Sequence, residues 1–471
     1  MRFRLAVALS LFVAWLAPAP LLAALSDTQQ AWLAQAERHE KAGWIYLHVQ
    51  GPARVRGFQH GYLLAPEINA ELQVRRVSWH YQSALEWDRL AEQAATLFTA
   101  KIDAENLEEL DGIAEGLQAH GVKATRADVI VLNGWIELTG YWWPQEVKKI
   151  KAGSVQTPRQ SCSSFIATGS LTADHGIVLA HNSMSTYEEA DANVIIDLAP
   201  EKGHRILMQC WPGWIHSGTD FFVTDAGLVG SETTIGEFDG FDASGVPEFA
   251  RMRRATQDAG SIEQWCEIMK QGNNGGYANA WLLGDVNSGE IARLELGLKH
   301  VAFEKKKDGC FLGSNVAEDL KLLRFETSTK ETDIRLSAIA RRVRWQQLMA
   351  QYAGKIDVKL AKRFEADHFD CYLGKVNPGS RTLCGHFELD AAPAGPWPGV
   401  PFGPCGTFDA KVVDTKMAKQ MSLAARWGSA CGLAFDAKKF LASHPQFGWL
   451  KDILKSRPSQ PWVEFRAGEK R

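Results

Sequence analysis

The chain has 471 residues, of which 45% are hydrophobic and 23% charged. That balance describes a globular protein too long for one small core, because single cores stop growing at roughly 250–300 residues. A formal net charge of -3, with no Lys or Arg cluster interleaved with aromatic residues, supplies no basic field and excludes nucleic acid as a partner.

Residues 1–24 read as a signal peptide. Arg2 and Arg4 precede an apolar run, Pro18 and Pro20 break it, and small residues lead into the polar start "SDTQQ". Cleavage is expected after Ala23 or Ala24, although Leu21 or Leu22 at the third position before the cut departs from an A-x-A site. No later segment reaches about 18 uninterrupted apolar residues, so the expected location is secreted or periplasmic.

Residues 25–161 read as a helical N-terminal segment ending in a processing linker. "SDTQQAWLAQAERHEKAGW" has Ser26 or Asp27 as a cap, and "EWDRLAEQAATLFTAKIDAENLEELDGIAEGLQAHG" spaces its leucines by three and four. "KKIKAGSVQTPRQ" is polar and lacks any period. Strand patterns then follow from Cys162: "CSSFIATG", "GIVLAHNS", "NVIIDLAP", "HRILMQCW" and "FFVTDAGLVGSETTI", broken by turn residues, predict an antiparallel meander. A helix over "VPEFARMRRATQDAGSIEQWCEIMKQG", more strands to about residue 315, a helical region from Leu320 to Ala366 and a mixed tail complete the chain. Without strict βαβ alternation the expected class is α+β.

The stretch from Cys162 to Ser183 reads as a hairpin turning on "LTADHG", with paired positions summing to about 345. Cys162 then lies opposite Asn182 or Ser183, and strand alternation leaves open whether His181 or Asn182 shares its face. A cysteine that opens a strand directly after an exposed linker invites one chemistry. Cleavage between Ser161 and Cys162 would put a thiol and an α-amine on one residue, and an amine of pKa near 8 can take the thiol proton. The thiol itself could make the cut by attacking the Ser161 carbonyl.

"SCSSFIATG…AHNSMSTY", "VGSETTIG" and "NNGGYANAWLLGD", with "RGFQHGYLLAPEI", "FARMRR" and "NPGSRTLCGHFELD", resemble the phospholipase B-like family of N-terminal nucleophile hydrolases. That family is related to the acyl-coenzyme A:6-aminopenicillanate acyltransferase and to acid ceramidase-like amidases. The resemblance implies an αββα sandwich, self-cleavage before Cys162, and hydrolysis of an amide or ester of an acyl chain by residues 162–471. It matches Cys162 to the nucleophile, Asn279 to the oxyanion-hole asparagine, His181 to the polar position beside the thiol, Thr233 or Thr234 to a pocket position, and Arg381 to a site arginine. One departure stands out: where the acyltransferase branch carries an aspartate shortly after the position of Asn182, this chain has Ser183 and Met184.

Trp211 and Trp214 are either core residues or the lining of an acyl pocket, and Asn182 either orients the site or is structural. The implied partner is a small acyl-lipid or acyl-amide substrate, and a lipid substrate would bring peripheral contact with membrane lipid. No cofactor is expected, and no metal, because no His/Cys grouping has zinc spacing. Of the eight cysteines, Cys371 with Cys384 and Cys405 with Cys431 are pairs to test as disulfides. The competing readings are an acyltransferase using the same thioester, an exported lipid- or peptide-binding protein, and a papain-like protease. The last would use His300 and Asn315, but lacks the local setting and the helix that should carry its cysteine.

Overall fold

The computed structural model describes residues 24–150, 161–189, 192–218, 220–393 and 400–470. The expected signal peptide, save Ala24, and residues 151–160 of the expected linker lie outside the described residues, whereas the first three linker residues, 148–150, close helix Trp143–Ile150 instead of lacking structure. Helix Asp27–Leu33 starts at Ser26, which forms a capping box with Gln29. The helical reading fails directly afterwards: Glu37–Lys41 and Trp44–Gly51 form a hairpin. "WIYLHV" is β-branched and aromatic, and the two-residue turn of Ala42 and Gly43 has positive φ at both positions, the twist a tight hairpin needs. Helices resume at Ala53–Leu63 and continue to Trp143–Ile150.

That hairpin opens a nine-stranded sheet in the order β1 (Glu37–Lys41), β2 (Trp44–Gly51), β5 (Val194–Pro200), β6 (Ile206–Cys210), β7 (Phe221–Thr224), β8 (Leu228–Thr234), β9 (Asn279–Asp285), β10 (Glu290–Leu296) and β11 (Val301–Lys306). A six-stranded sheet runs β12 (Gly309–Gly313), β3 (Ser161–Thr168), β4 (Val178–Thr186), β15 (Cys405–Asp414), β16 (Ser422–Trp427) and β17 (Val463–Arg466). A ribbon, β13 (Phe369–Asp370) with β14 (Lys375–Val376), stands apart. The single meander therefore divides: β5 to β11 follow it, while the β3–β4 hairpin belongs to the other sheet. Every pairing in the two sheets is antiparallel except β2 with β5, through which residues before the linker join a sheet built from residues after it.

The sheets stack face to face. Ile166, Leu179, Ile195, Leu207, Val223 and Leu282 fill the space between them. On the far side of the nine-stranded sheet, helices pack through Ile68, Leu132, Phe249 and Trp265. On the far side of the six-stranded sheet, helices Ser337–Gln351 and Val358–Glu365 pack through Trp345 and Phe364 against Phe165 and Ala180. This is a four-layer αββα sandwich. Covering on both faces explains why β4 and β8 are buried almost throughout and read as apolar runs broken by isolated polar residues. Helices Ala53–Leu63 and Ala104–Ala119 approach so closely that a Cβ on Gly57 would stand 2.2 Å from the Glu109 carbonyl oxygen. Beneath that contact Glu109 binds Arg56 at 2.6 Å and Arg253 at 3.0 Å, which joins the "RGFQHG" and "FARMRR" segments.

Candidate active site

The β3–β4 register pairs Cys162 with Ser183, Ser163 with Asn182 and Ser164 with His181. The pairing sum of 345 is realised, and the alternation settles which neighbour faces the thiol. Ser164 Oγ lies 2.7 Å from Ser231 Oγ, and His181 Nε2 donates to the Glu232 carbonyl at 2.9 Å, so this face of β3 and β4 looks into the inter-sheet space. Cys162, His181 and Ser183 share it. Asn182 points the other way and donates to the carbonyls of Glu365 at 2.7 Å and Leu383 at 2.9 Å.

Around the thiol the two sheets collect charged and polar groups. Cys162 Sγ, a His181 ring nitrogen and an Asp220 carboxylate oxygen all lie within 4.8 Å of one another. Asp220 occupies a left-handed backbone position, φ +64°, at the entry to β7. Its carboxyl group enters the Cys162 group from the nine-stranded sheet and not from β4. Tyr277 Oη lies 3.0 Å from Asp220 Oδ2 and 2.9 Å from Glu232 Oε2, and accepts from Thr234 Oγ1 at 3.1 Å. One phenolic proton cannot serve two carboxylates at once, so one carboxyl must keep its own proton. Burial accordingly pushes Asp220 up to about 7, and burial with the Asp220 charge pushes Glu232 well above the usual carboxylate range.

Lys411 on β15 lies opposite His181 and completes this polar layer. Its Nζ binds Asp409 Oδ1 at 2.6 Å and donates to Ser183 Oγ at 2.5 Å, with lysine and aspartate both fully buried. Burial raises the Cys162 thiol well above its ordinary pKa, the charges of Glu232 and Asp220 add to this, and Lys411 opposes it. Burial, then the Lys411 charge, holds His181 neutral.

The main chain of Cys162 is held as firmly. Its N–H donates to Asn315 Oδ1 at 3.1 Å, and its carbonyl accepts from Arg341 Nη1. Arg341 also donates to Ser163 Oγ at 3.0 Å and to Asn315 Oδ1 at 2.8 Å. Asn315, left-handed at φ +70°, is fixed by donating to the Thr234 carbonyl at 2.8 Å.

The other expected residues divide. Asn279 heads β9 opposite Thr234, fully buried beside Glu248, and its amide makes no hydrogen bond of normal geometry to a described residue. Thr234 reaches the site through Tyr277, whereas Thr233 packs under Gly313 between the sheets. Trp211 and Trp214 are fully buried and stack on the Arg75 guanidinium at 5.0 and 5.9 Å, which makes them core residues in this conformation. The arginine on Cys162 is Arg341 rather than Arg381, whose guanidinium is engaged by Asp370 at 2.9 Å and Tyr372. His300 binds Glu326 at 2.9 Å, outside the Cys162 group, so no papain-like pair forms although Asn315 itself is in the site. Ser161 occupies the first position of β3.

All eight cysteines are free, and neither tested pair forms: Cys371 Sγ contacts Gln347, and Cys405 packs on Met184 and Phe387. Linear spacing offers no metal site, yet His368, Cys384, His386 and Cys431 converge on the outer side of the six-stranded sheet. Asp220, Glu232, Tyr277, Lys411 and Arg341 escaped sequence reasoning, which reached Asn315 only as the papain-like partner of His300. A signal existed for two of them: Glu232 in "VGSETT" and Lys411 in "DAKVV" are charges inside apolar strands, which need partners indoors.

Beyond Ser183, β4 runs to Thr186 and borders an apolar cleft of about 430 Å³ walled by Phe387, Val400, Cys405, Phe447 and Trp449. Three residue steps along the strand take Ser183 to Thr186, roughly 10 Å.

The family model described as Phospholipase B matches residues 81–299, a span that contains Cys162, His181, Asp220, Glu232, Tyr277 and Asn279. The chain resembles the phospholipase B-like family. Phospholipase B-like protein C of Dictyostelium discoideum is 26% identical over 206 residues, 38% of this chain and 36% of that protein. Human Phospholipase B-like 1 is 29% identical over 137 residues, 26% of this chain and 24% of that protein. The aligned stretches thus span about a quarter to a third of these relatives. Among solved structures, a mutant conjugated bile acid hydrolase from Clostridium perfringens covers 56% of this chain and 89% of its own at 12% identity and a TM-score of 0.34. That likeness adds nothing to the fold read directly from the two sheets.

Proposed function

We propose that the chain is an exported N-terminal cysteine hydrolase that cuts itself between Ser161 and Cys162 and then hydrolyses amide or ester bonds of acylated substrates, in the manner of a phospholipase B-like enzyme or an amidase. The observation that carries this reading is the position of Cys162. Its thiol lies among buried polar groups and its main-chain nitrogen is bonded to one of them, Asn315, at the head of a strand immediately after the linker.

In the uncut chain the thiol needs a base. Neutral His181 is too weak a base near neutral pH, whereas Asp220, at about 7, is matched to the task. The thiolate adds to the Ser161 carbonyl carbon. The C–N bond breaks, the departing nitrogen takes a proton, and water hydrolyses the thioester to free the thiol and leave Ser161 as a carboxylate. The new α-amine stands where the Cys162 N–H meets Asn315 Oδ1, and its neutral form takes the thiol proton in each later turnover. The thiolate attacks the substrate's acyl carbon, the protonated amine passes a proton to the leaving group, and water releases the acid. Asn279, buried at the head of β9 with its side chain against Glu248, is the residue to which the resemblance gives the oxyanion role. The apolar cleft at the end of β4 is of a size to take an acyl chain.

Intact mass under denaturing conditions tests the reading. The wild-type protein should separate into two chains, the second beginning at Cys162, and Cys162→Ala should stay whole. An active wild-type protein that remains a single chain overturns it.

A further inference from the structure

His368, Cys384, His386 and Cys431 offer two ring nitrogens and two sulfurs, all within 4.8 Å of one another. We propose that these four residues bind one Zn²⁺ as a closed structural site on the outer side of the six-stranded sheet. Zinc takes sulfur at roughly 2.3 Å and nitrogen at roughly 2.0–2.1 Å, so the S···N edge of a tetrahedral site is roughly 3.5 Å. The structure gives 3.5 Å from Cys384 Sγ to His386 Nε2 and 3.4 Å from Cys431 Sγ to the same atom. Two thiolates balance the dication, and an S₂N₂ donor set selects zinc over harder metals.

The surrounding bonds are those a metal site needs. His386 Nδ1 lies 2.8 Å from Glu388 Oε1, which fixes the tautomer that presents Nε2 to the centre. His368 Nε2 is buried with no hydrogen bond of normal geometry, and the His368 side chain meets Cys431. The Leu433 N–H donates to Cys431 Sγ at 3.3 Å, a bond that favours a thiolate. The backbone also assembles the ligands. Cys384 N–H donates to the Asp367 carbonyl at 3.1 Å, which brings it beside His368. Gly385, between Cys384 and His386, is clamped to β15 by two bonds of 2.9 Å with Thr407.

The ion would tie three segments together: the turn after helix Val358–Glu365, the loop before β15 and the loop after β16. Asn182 binds the carbonyls of Glu365 and Leu383, one residue before the ligand Cys384. The metal therefore braces the outer face of the strand whose inner face carries His181 and Ser183. Binding displaces one proton from each cysteine and involves no electron transfer.

The test uses the full chain, purified without chelator. Metal analysis should find about one Zn²⁺ per chain, and Co²⁺ exchanged into the site should show the intense visible bands of tetrahedral thiolate coordination. Cys431→Ser and His368→Ala should lower bound zinc at least tenfold, while Cys371→Ser leaves it unchanged. If the variants fail to fold, the Co²⁺ spectrum of the wild-type chain decides. Background metal together with a Cys384–Cys431 disulfide in a non-reducing peptide map overturns the proposal, and so does zinc retained in both ligand variants or a Co²⁺ spectrum without tetrahedral bands.

Discussion

Asp220→Asn separates the chemistry of the site from its stability. The amide keeps the size of the side chain and its contact with the Tyr277 hydroxyl, now 3.0 Å away, but can neither take the Cys162 proton nor ionise. General-base catalysis contributes about 10²- to 10⁴-fold, so self-cleavage should slow by that factor and lose the limb of its pH profile near 7. Stability should move the opposite way. Asp220 is raised by burial from 3.8 to about 7, so the fold holds a proton that the unfolded chain gives up. The resulting stabilisation is fully present below about pH 4, drains away as pH rises, and is gone above about 7, with a ceiling of about 4 kcal/mol. Asp220→Asn escapes that loss. In a Cys162→Ala background, expected to stay one chain, urea unfolding at pH 5 and pH 8 should show the variant gaining on its parent as pH rises. Intact mass against time, from pH 5 to 8, reports the cleavage. Cleavage at the wild-type rate with an unmoved pH profile would refute the assignment of Asp220 as base.

Arg341→Lys keeps the charge but cannot reach the Cys162 carbonyl, Ser163 Oγ and Asn315 Oδ1 together, so self-cleavage should fall about 10²-fold, measured by the same mass assay. Asn182→Ala leaves the Glu365 and Leu383 carbonyls without that donor and should cost about 2–4 kcal/mol in urea unfolding, with the rate of Cys162 alkylation in the folded protein unchanged. Val400→Trp narrows the mouth of the apolar cleft. Losing two or three methylene contacts, at about 0.8 kcal/mol each, should lower kcat/KM for long acyl esters about 30-fold while acetyl esters are unaffected.

The hairpin from Cys162 to Ser183 was legible because it is local: turn chemistry and alternation fix a register that no distant residue has to confirm. The rest of the site was illegible for the opposite reason. Lys411 reaches His181 only through the β4–β15 pairing, Asp220 and Glu232 arrive from the facing sheet, and Arg341 comes from a helix in the outer layer. No spacing in the chain encodes those meetings. The β1–β2 hairpin was lost between two helical patterns although "WIYLHV" spells a strand, and the four metal-ligating side chains lie on three segments whose separation matches no motif.

The parallel pairing of β2 with β5 acquires a different meaning once the bond before Cys162 is broken. Seven residue pairs, from Ile45 with Val194 to Gly51 with Pro200, then join two separate polypeptides. Folding of the uncut chain is unimolecular, but a cleaved protein that unfolds would yield two pieces that must find each other again. Its recovery after heating should depend on protein concentration, and dilution should drive unfolding that the uncut Cys162→Ala chain reverses. Processing would convert a reversible fold into one that survives by its slow rate of opening.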